Sequence, residues 1–158
     1  MNEFEDMISK MKGTHSEVCK QVETQKQATA ADHAARRQEG AEALTSRVSP
    51  LVNEALRAMD AQGIGYDHNE DANPYSNPTI SLTCKGPKPR SDGSTYEVEG
   101  AAVEFSHDGR NLRVSIRRYP FDQKGPSEFT EGSEEDRVKG GIQAALETYF
   151  KAITPDRL

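Results

Sequence analysis

Between Thr95 and Phe121 the chain spells out a β-hairpin, and no other stretch narrows its possible folds so far. Asp108-Gly109 is a strong two-residue turn signal, because a type I′ turn needs positive φ at both central positions and Asp-Gly adopts that at little cost. With those two residues as the loop, His107 faces Arg110, Phe105 pairs with Leu112, Val103 with Val114 and Ala101 with Ile116. The apolar residues near the turn then share one face. The same count sets Glu104 across from Arg113, an opposite-charge pair. Beyond Gly100 the apolar positions change phase on both strands together: Val98 meets Tyr119, Tyr96 meets Phe121 and Glu99 meets Arg118. This predicts an unbroken ladder whose buried face switches sides near Gly100, with cover needed on both faces. The alternative is a bulge at Gly100-Ala101 with a single buried face, since glycine inside a strand often marks a bulge.

The elements around the hairpin follow from periodicity. The first forty or so residues are polar, free of proline and rich in Gln, Ala, Thr, Lys and Glu, which reads as a helix with little to bury. Phe4, Met7, Ile8 and Met11 form one apolar stripe, continued thinly by Val18 and Val22 and then only by alanines such as Ala28 and Ala35, and Gly13 weakens it. Ala41, Leu44, Val48, Leu51, Val52, Ala55, Leu56 and Met59 keep helical spacing more closely. Ser49-Pro50 either caps a new helix or kinks a continuous one, and a helix is expected from about Pro50 to Gln62, ended by Gly63 and Gly65. Residues 66–78 are an acidic loop rich in turn formers. Thr79–Lys85 alternates Ile80, Leu82 and Cys84 with Thr and Ser, a half-buried strand, and Gly86–Ser94 is a flexible connection. After Phe121 a polar linker leads to Ser133, whose following Glu134, Glu135 and Asp136 make an acidic first helical turn. Val138, Ile142, Ala145, Leu146, Tyr149 and Ile153 form its core face, and Pro155 stops it.

The expected fold class is α+β: a long N-terminal helical region, a three-stranded antiparallel meander containing the Asp108-Gly109 hairpin, and a C-terminal helix packed on the sheet. A polar helical arm, residues 1–43, precedes a compact domain, residues 44–158.

Composition limits function. Leu, Ile, Val and Phe together number only 26 of 158 residues, a lean core, while the net charge of −6 is too modest for a disordered chain. No apolar run approaches the ~18 residues of a membrane span, and the opening MNEFEDMISK has no basic segment leading into an apolar one. A cytoplasmic protein is expected. Cys19 and Cys84 lie far apart without metal-ligand spacing, which fits a reducing compartment. Only the β region, residues 78–125, is net basic, with 8 basic and 6 acidic groups.

Chemical signatures are incomplete. Asp67, Asn69 and Asp71 resemble the opening of a calcium loop, but Ala72 stands where the turn glycine belongs and Pro78 where the bidentate glutamate belongs. His15 and Cys19 lie one helical turn apart, short of the three ligands that zinc takes. A Cys84 nucleophile with His107 as base lacks an oxyanion loop and an orienting third residue, and the strand alternation points Cys84 inward, where a thiol is inert. A weaker enzymatic reading uses the acidic loop with His68. No catalytic, cofactor-binding or metal-binding residue is assigned, and no cofactor is expected. The basic grouping of Lys85, Lys88, Arg90, Arg113 and Arg117, with Arg118 nearby, is the one surface of chemical character.

The leading expectation is a non-catalytic interaction protein, of adaptor, chaperone or inhibitor/immunity type. It self-associates as a homodimer through Phe4, Met7, Ile8, Met11, Val18 and Val22, because a helix that buries so little gains stability from a second surface. Another protein is a further partner. The alternative is a nucleic-acid or anionic-ligand binder using the basic hairpin face and the loop 85–90.

Overall fold

A computed structural model describes residues 2–72, 76–117 and 127–154. The chain divides into two compact units, residues 1–35 and 36–158. The expected boundary at residue 43 thus falls eight residues later than the division, inside the same helix. Helix α1 spans Glu3–Ala43, continues as a π-helical turn, Leu44–Val48, and passes into α2, Ser49–Ala61. Ser49 caps nothing with its side chain; its N–H instead donates to the Leu44 carbonyl, the wide turn of a π-helix. Pro50 has no N–H and its ring crowds the carbonyl four residues back, so widening the preceding turn lets the helix run through proline.

Among the described residues five antiparallel strands, rather than three, form a meander in the order β1 to β5: Gly65–Asp71, Thr79–Pro89, Thr95–His107, Leu112–Arg117 and Ser127–Phe129. The first lies where an acidic loop was expected. It is an edge strand of polar residues, held by side chains such as the Lys85 Nζ that donates to Asp67 at 2.9 Å, so it lacks the apolar alternation that marks a buried strand. The second runs on to Pro89, through residues expected to form a loop.

The hairpin register differs from the count. His107 pairs with Leu112, Phe105 with Val114, Val103 with Ile116, and Glu104 with Ser115, so Phe105 and Leu112 are not direct neighbours and Arg113 stands opposite Ser106. A two-residue I′ loop would need Asp108 at positive φ, and only Gly109 (φ 95°) is there. Instead the Asp108 carboxylate accepts the N–H groups of Arg110 at 2.8 Å and Asn111 at 2.7 Å, closing a four-residue loop. The shift is two residues, an even number, so every apolar side chain keeps its face. The pairs Val98–Tyr119, Tyr96–Phe121 and Glu99–Arg118 lie outside the described residues, as does Pro155.

The β3–β4 ladder is described only as far as Ala102–Arg117, so its expected continuity beyond Gly100 lies outside the described residues, whereas the β2–β3 ladder is broken beside Gly100. Thr83 pairs with Ala102 and Lys85 with Glu99, so Gly100 and Ala101 together oppose Cys84. This is the bulge of the alternative reading, and it keeps one buried face instead of two. Glycine serves a second purpose there: a Cβ on Gly100 would lie 3.0 Å from the backbone of Tyr149, where α3 presses on the sheet.

Helix α3, Glu134–Ile153, begins in a capping box: Ser133 Oγ accepts the Asp136 N–H at 3.1 Å while Asp136 accepts the Ser133 N–H. Its Val138, Ile142, Ala145 and Tyr149 join Val48, Val52 and Leu56 over Leu82, Val103, Phe105, Val114 and Ile116. Among the described residues, helices cover one face of the sheet and the other is half-exposed or exposed, the ordinary arrangement for an antiparallel sheet.

Candidate interaction surfaces

Every residue from Asn2 to Ala35 is exposed, and Gly40 is the only buried residue of α1. The apolar residues expected to bind a partner all lie on this stretch: Phe4 is 69% exposed, Met11 62%, and Met7, Ile8, Val18 and Val22 close to half. Their spacing carries a signal that an amphipathic-stripe reading overlooks. Phe4, Ile8, Met11, His15, Val18 and Val22 are separated by four, three, four, three and four residues. That spacing matches an a/d heptad pattern, with Ile8, His15 and Val22 at a, and Phe4, Met11 and Val18 at d. Gly13 then falls at f, the position farthest from the seam, and a Cβ there would meet nothing within 4 Å. The weakness that glycine brings to the helix therefore lies away from the apolar side. At the start of α1, Asn2 Oδ1 accepts the Glu5 N–H at 2.9 Å, and Glu3, Glu5 and Asp6 complement the helix dipole.

The basic residues lie on β2, on β4 and just beyond Pro89. Arg113 and Arg117 share the open sheet face and border a depression of about 310 Å³ floored by Ser81, Ala102, Ser106 and Ser115, but Glu104 lines it too and Arg113 is ion-paired to Glu128. Lys85 is paired with Asp67, whose carboxylate raises its pKa. Lys88 stands opposite Tyr96 on the ladder, and the Arg90 guanidinium stacks over the Tyr96 ring at 4.7 Å.

The catalytic and metal alternatives separate in space. Asp67, Asn69 and Asp71 alternate along an extended strand opposite Thr83, Ser81 and Thr79 instead of curling around one point. Cys84 is fully buried, and burial pushes its thiol pKa up to about 11. It opposes the bulge, six or more strand residues from His107, or about 20 Å at the rise of a strand. Among the described residues His68 Nε2 is buried without a hydrogen-bond partner, 3.7 Å from Glu70. His15 Nε2 and Cys19 Sγ are 3.6 Å apart, and among the described residues no three His, Cys, Asp or Glu side chains gather as a metal site would require. Among the same residues no helix is long and apolar enough to cross a membrane.

One cluster was not visible in the sequence. His107 is buried at the end of β3, its Nδ1 3.0 Å from the Gly109 N–H and its Nε2 3.3 Å from Arg47 Nη2, while Arg47 Nε reaches Glu134 at 3.3 Å. A neutral imidazole has one acceptor nitrogen, so only one of the two contacts is a full hydrogen bond, and a protonated ring would face donors on both sides. Burial first, and then the Arg47 charge, lower the pKa of His107. These residues come from the π-turn, the hairpin and α3, sixty positions and more apart in places, so no local pattern announces them.

Comparison of the chain with protein-family models, with curated proteins and with solved structures finds no match.

Proposed function

We propose that this is a non-catalytic, cytoplasmic interaction protein that self-associates through the N-terminal part of α1. The observation that carries this reading is the exposed apolar stripe from Phe4 to Val22 on a helix that buries no side chain before residue 40. Its six large side chains present on the order of 500 Å² of apolar surface, the size at which a patch on a water-exposed protein marks an interaction site. A second copy would double that to about 1,000 Å², the lower edge of specific protein interfaces, so the dimer is weak and concentration-dependent. The compact domain, with its own core, then serves as the element that pairing brings into two copies, as an adaptor or inhibitor would use it.

Light scattering on the full chain across a concentration series tests this. The mass should climb from 17.4 kDa toward twice that value, and the double variant Ile8→Glu with Val18→Glu should remain at 17.4 kDa throughout. A native chain that stays monomeric at millimolar concentration overturns the proposal.

A further inference from the structure

Resting on the self-association reading, we infer that the partner of α1 is a second copy aligned parallel and in register, as a two-stranded coil over Phe4–Val22 with His15 facing His15. The geometry points this way on three counts. First, alternating four-three spacing is complementary to another helix with the same spacing, and the second copy supplies it at matching length. Ile8 and Val22, both β-branched, occupy a, one half of the pattern that favours two parallel strands, while d holds Phe4, Met11 and Val18 in place of leucine.

Second, the flanking positions discriminate orientation. Parallel pairing sets Met7 beside Lys12, Thr14 beside Cys19 and Gln21 beside Lys26 of the second copy, with no like charges in contact. The antiparallel arrangement that fills every layer matches Phe4 with Val22, Ile8 with Val18 and Met11 with His15, and it brings Lys12 against Lys12. Like charges so placed oppose it.

Third, His15 is the one polar residue inside the apolar seam. Opposite another His15 one ring can donate to the other, whereas opposite Met11 each ring is shut in against a thioether. A single polar a position fixes register at some loss of affinity. Beyond Val22 the same positions hold Gln25, Thr29 and Asp32, so the coil ends after about three heptads.

The test uses the full chain with Cys19→Ser and Glu3→Cys, spin-labelled at position 3; Cys84 is buried and does not take the label. In parallel register the two labels lie within about 20 Å, whereas antiparallel pairing offsets them by twenty residues, about 30 Å along the axis before any lateral separation. A short distance at dimer mass supports the inference. A distance above 30 Å at dimer mass overturns the orientation and leaves self-association intact, and a monomer with no dipolar coupling overturns both. His15→Leu, on an exposed helix face, should tighten the dimer about tenfold or more, and unchanged or weaker association would remove His15 from the seam.

Discussion

Two glycines of α1 are predicted to respond oppositely to the same substitution. At Gly40 an added methyl would lie 2.6 Å from the His107 carbonyl oxygen and 3.2 Å from its carbon, with the Gly109 nitrogen at 3.3 Å. All three are backbone atoms, tied into the hairpin ladder and the turn, so no side chain can rotate away. Relief requires the helix to retreat by about half an ångström or more from the sheet end, and overpacking of this kind costs roughly 1–3 kcal/mol. Alanine's better helix propensity returns about 1 kcal/mol. Because the 2.6 Å contact is with rigid backbone, the cost belongs in the upper part of that range, and the net expectation for Gly40→Ala is a loss of about 1–2 kcal/mol, or a Tm lowered by about 2–8 °C at this chain length. At Gly13 nothing lies within 4 Å, so Gly13→Ala keeps the propensity gain without the clash. It should raise far-ultraviolet helicity and leave the domain's Tm where it was. Urea and thermal melts of both variants followed by circular dichroism decide, with an unchanged m-value showing that the same unit unfolds. If Gly40→Ala is as stable as the native chain or more so, residues 36–43 do not dock on the hairpin and the close approach that defines the start of the second unit is wrong.

Stability should fall as pH drops from about 6.5 toward 5. The folded-state pKa of His107 is lowered by burial and by Arg47, so the unfolded chain takes up a proton near the ordinary histidine value while the folded chain refuses it. The contribution is complete above the unfolded pKa and is lost below it; His107→Gln should flatten urea midpoints measured across this range, and midpoints that rise on acidification would refute the assignment. A thiol titration should find one fast cysteine, Cys19, with Cys84 reacting only on unfolding, since its thiol is buried and pushed up to about 11. Two fast equivalents would show that the sheet centre is open.

What was legible follows the range over which each signal acts. The faces of Phe105, Val103, Leu112, Val114 and Ile116 were readable because alternation is a property of neighbours, and a register error of two leaves it untouched. The loop length was not, because it depends on whether the Asp108 carboxylate turns back onto Arg110 and Asn111 or lets Asp108 adopt positive φ, and both outcomes use the same letters. The bulge at Gly100-Ala101 is one of two alternatives in the sequence; the β2–β3 register shift shows it, and the Tyr149 backbone beside Gly100 accounts for the residue without Cβ there. Strands β1 and β5, at the two ends of the strand order, gave no signal because a strand held by a single ladder needs no apolar period. The Arg47–His107–Glu134 contacts join three elements and have no local trace. On α1 the opposite held: the seam is entirely local, and its four-three spacing stands in the letters themselves.

That locality bears on why the stripe exists. The chain carries only 26 Leu, Ile, Val and Phe residues and four Met, few for a domain that must cover a five-stranded sheet. Four of the 26 and two of the methionines stand exposed on the first half of α1, while a histidine fills a buried place at the end of β3. Water contact at Phe4, Ile8, Met11, Val18 and Val22 brings the folded monomer no stability, and polar residues there would form the same helix with less risk of aggregation. If the seam were incidental, replacing all five by Gln or Lys would leave every property of the protein in place. If α1 pairs with its own copy, the replacement abolishes the concentration dependence of its mass while leaving the melt of residues 36–158 unmoved, a combination that loss of a structural core cannot produce.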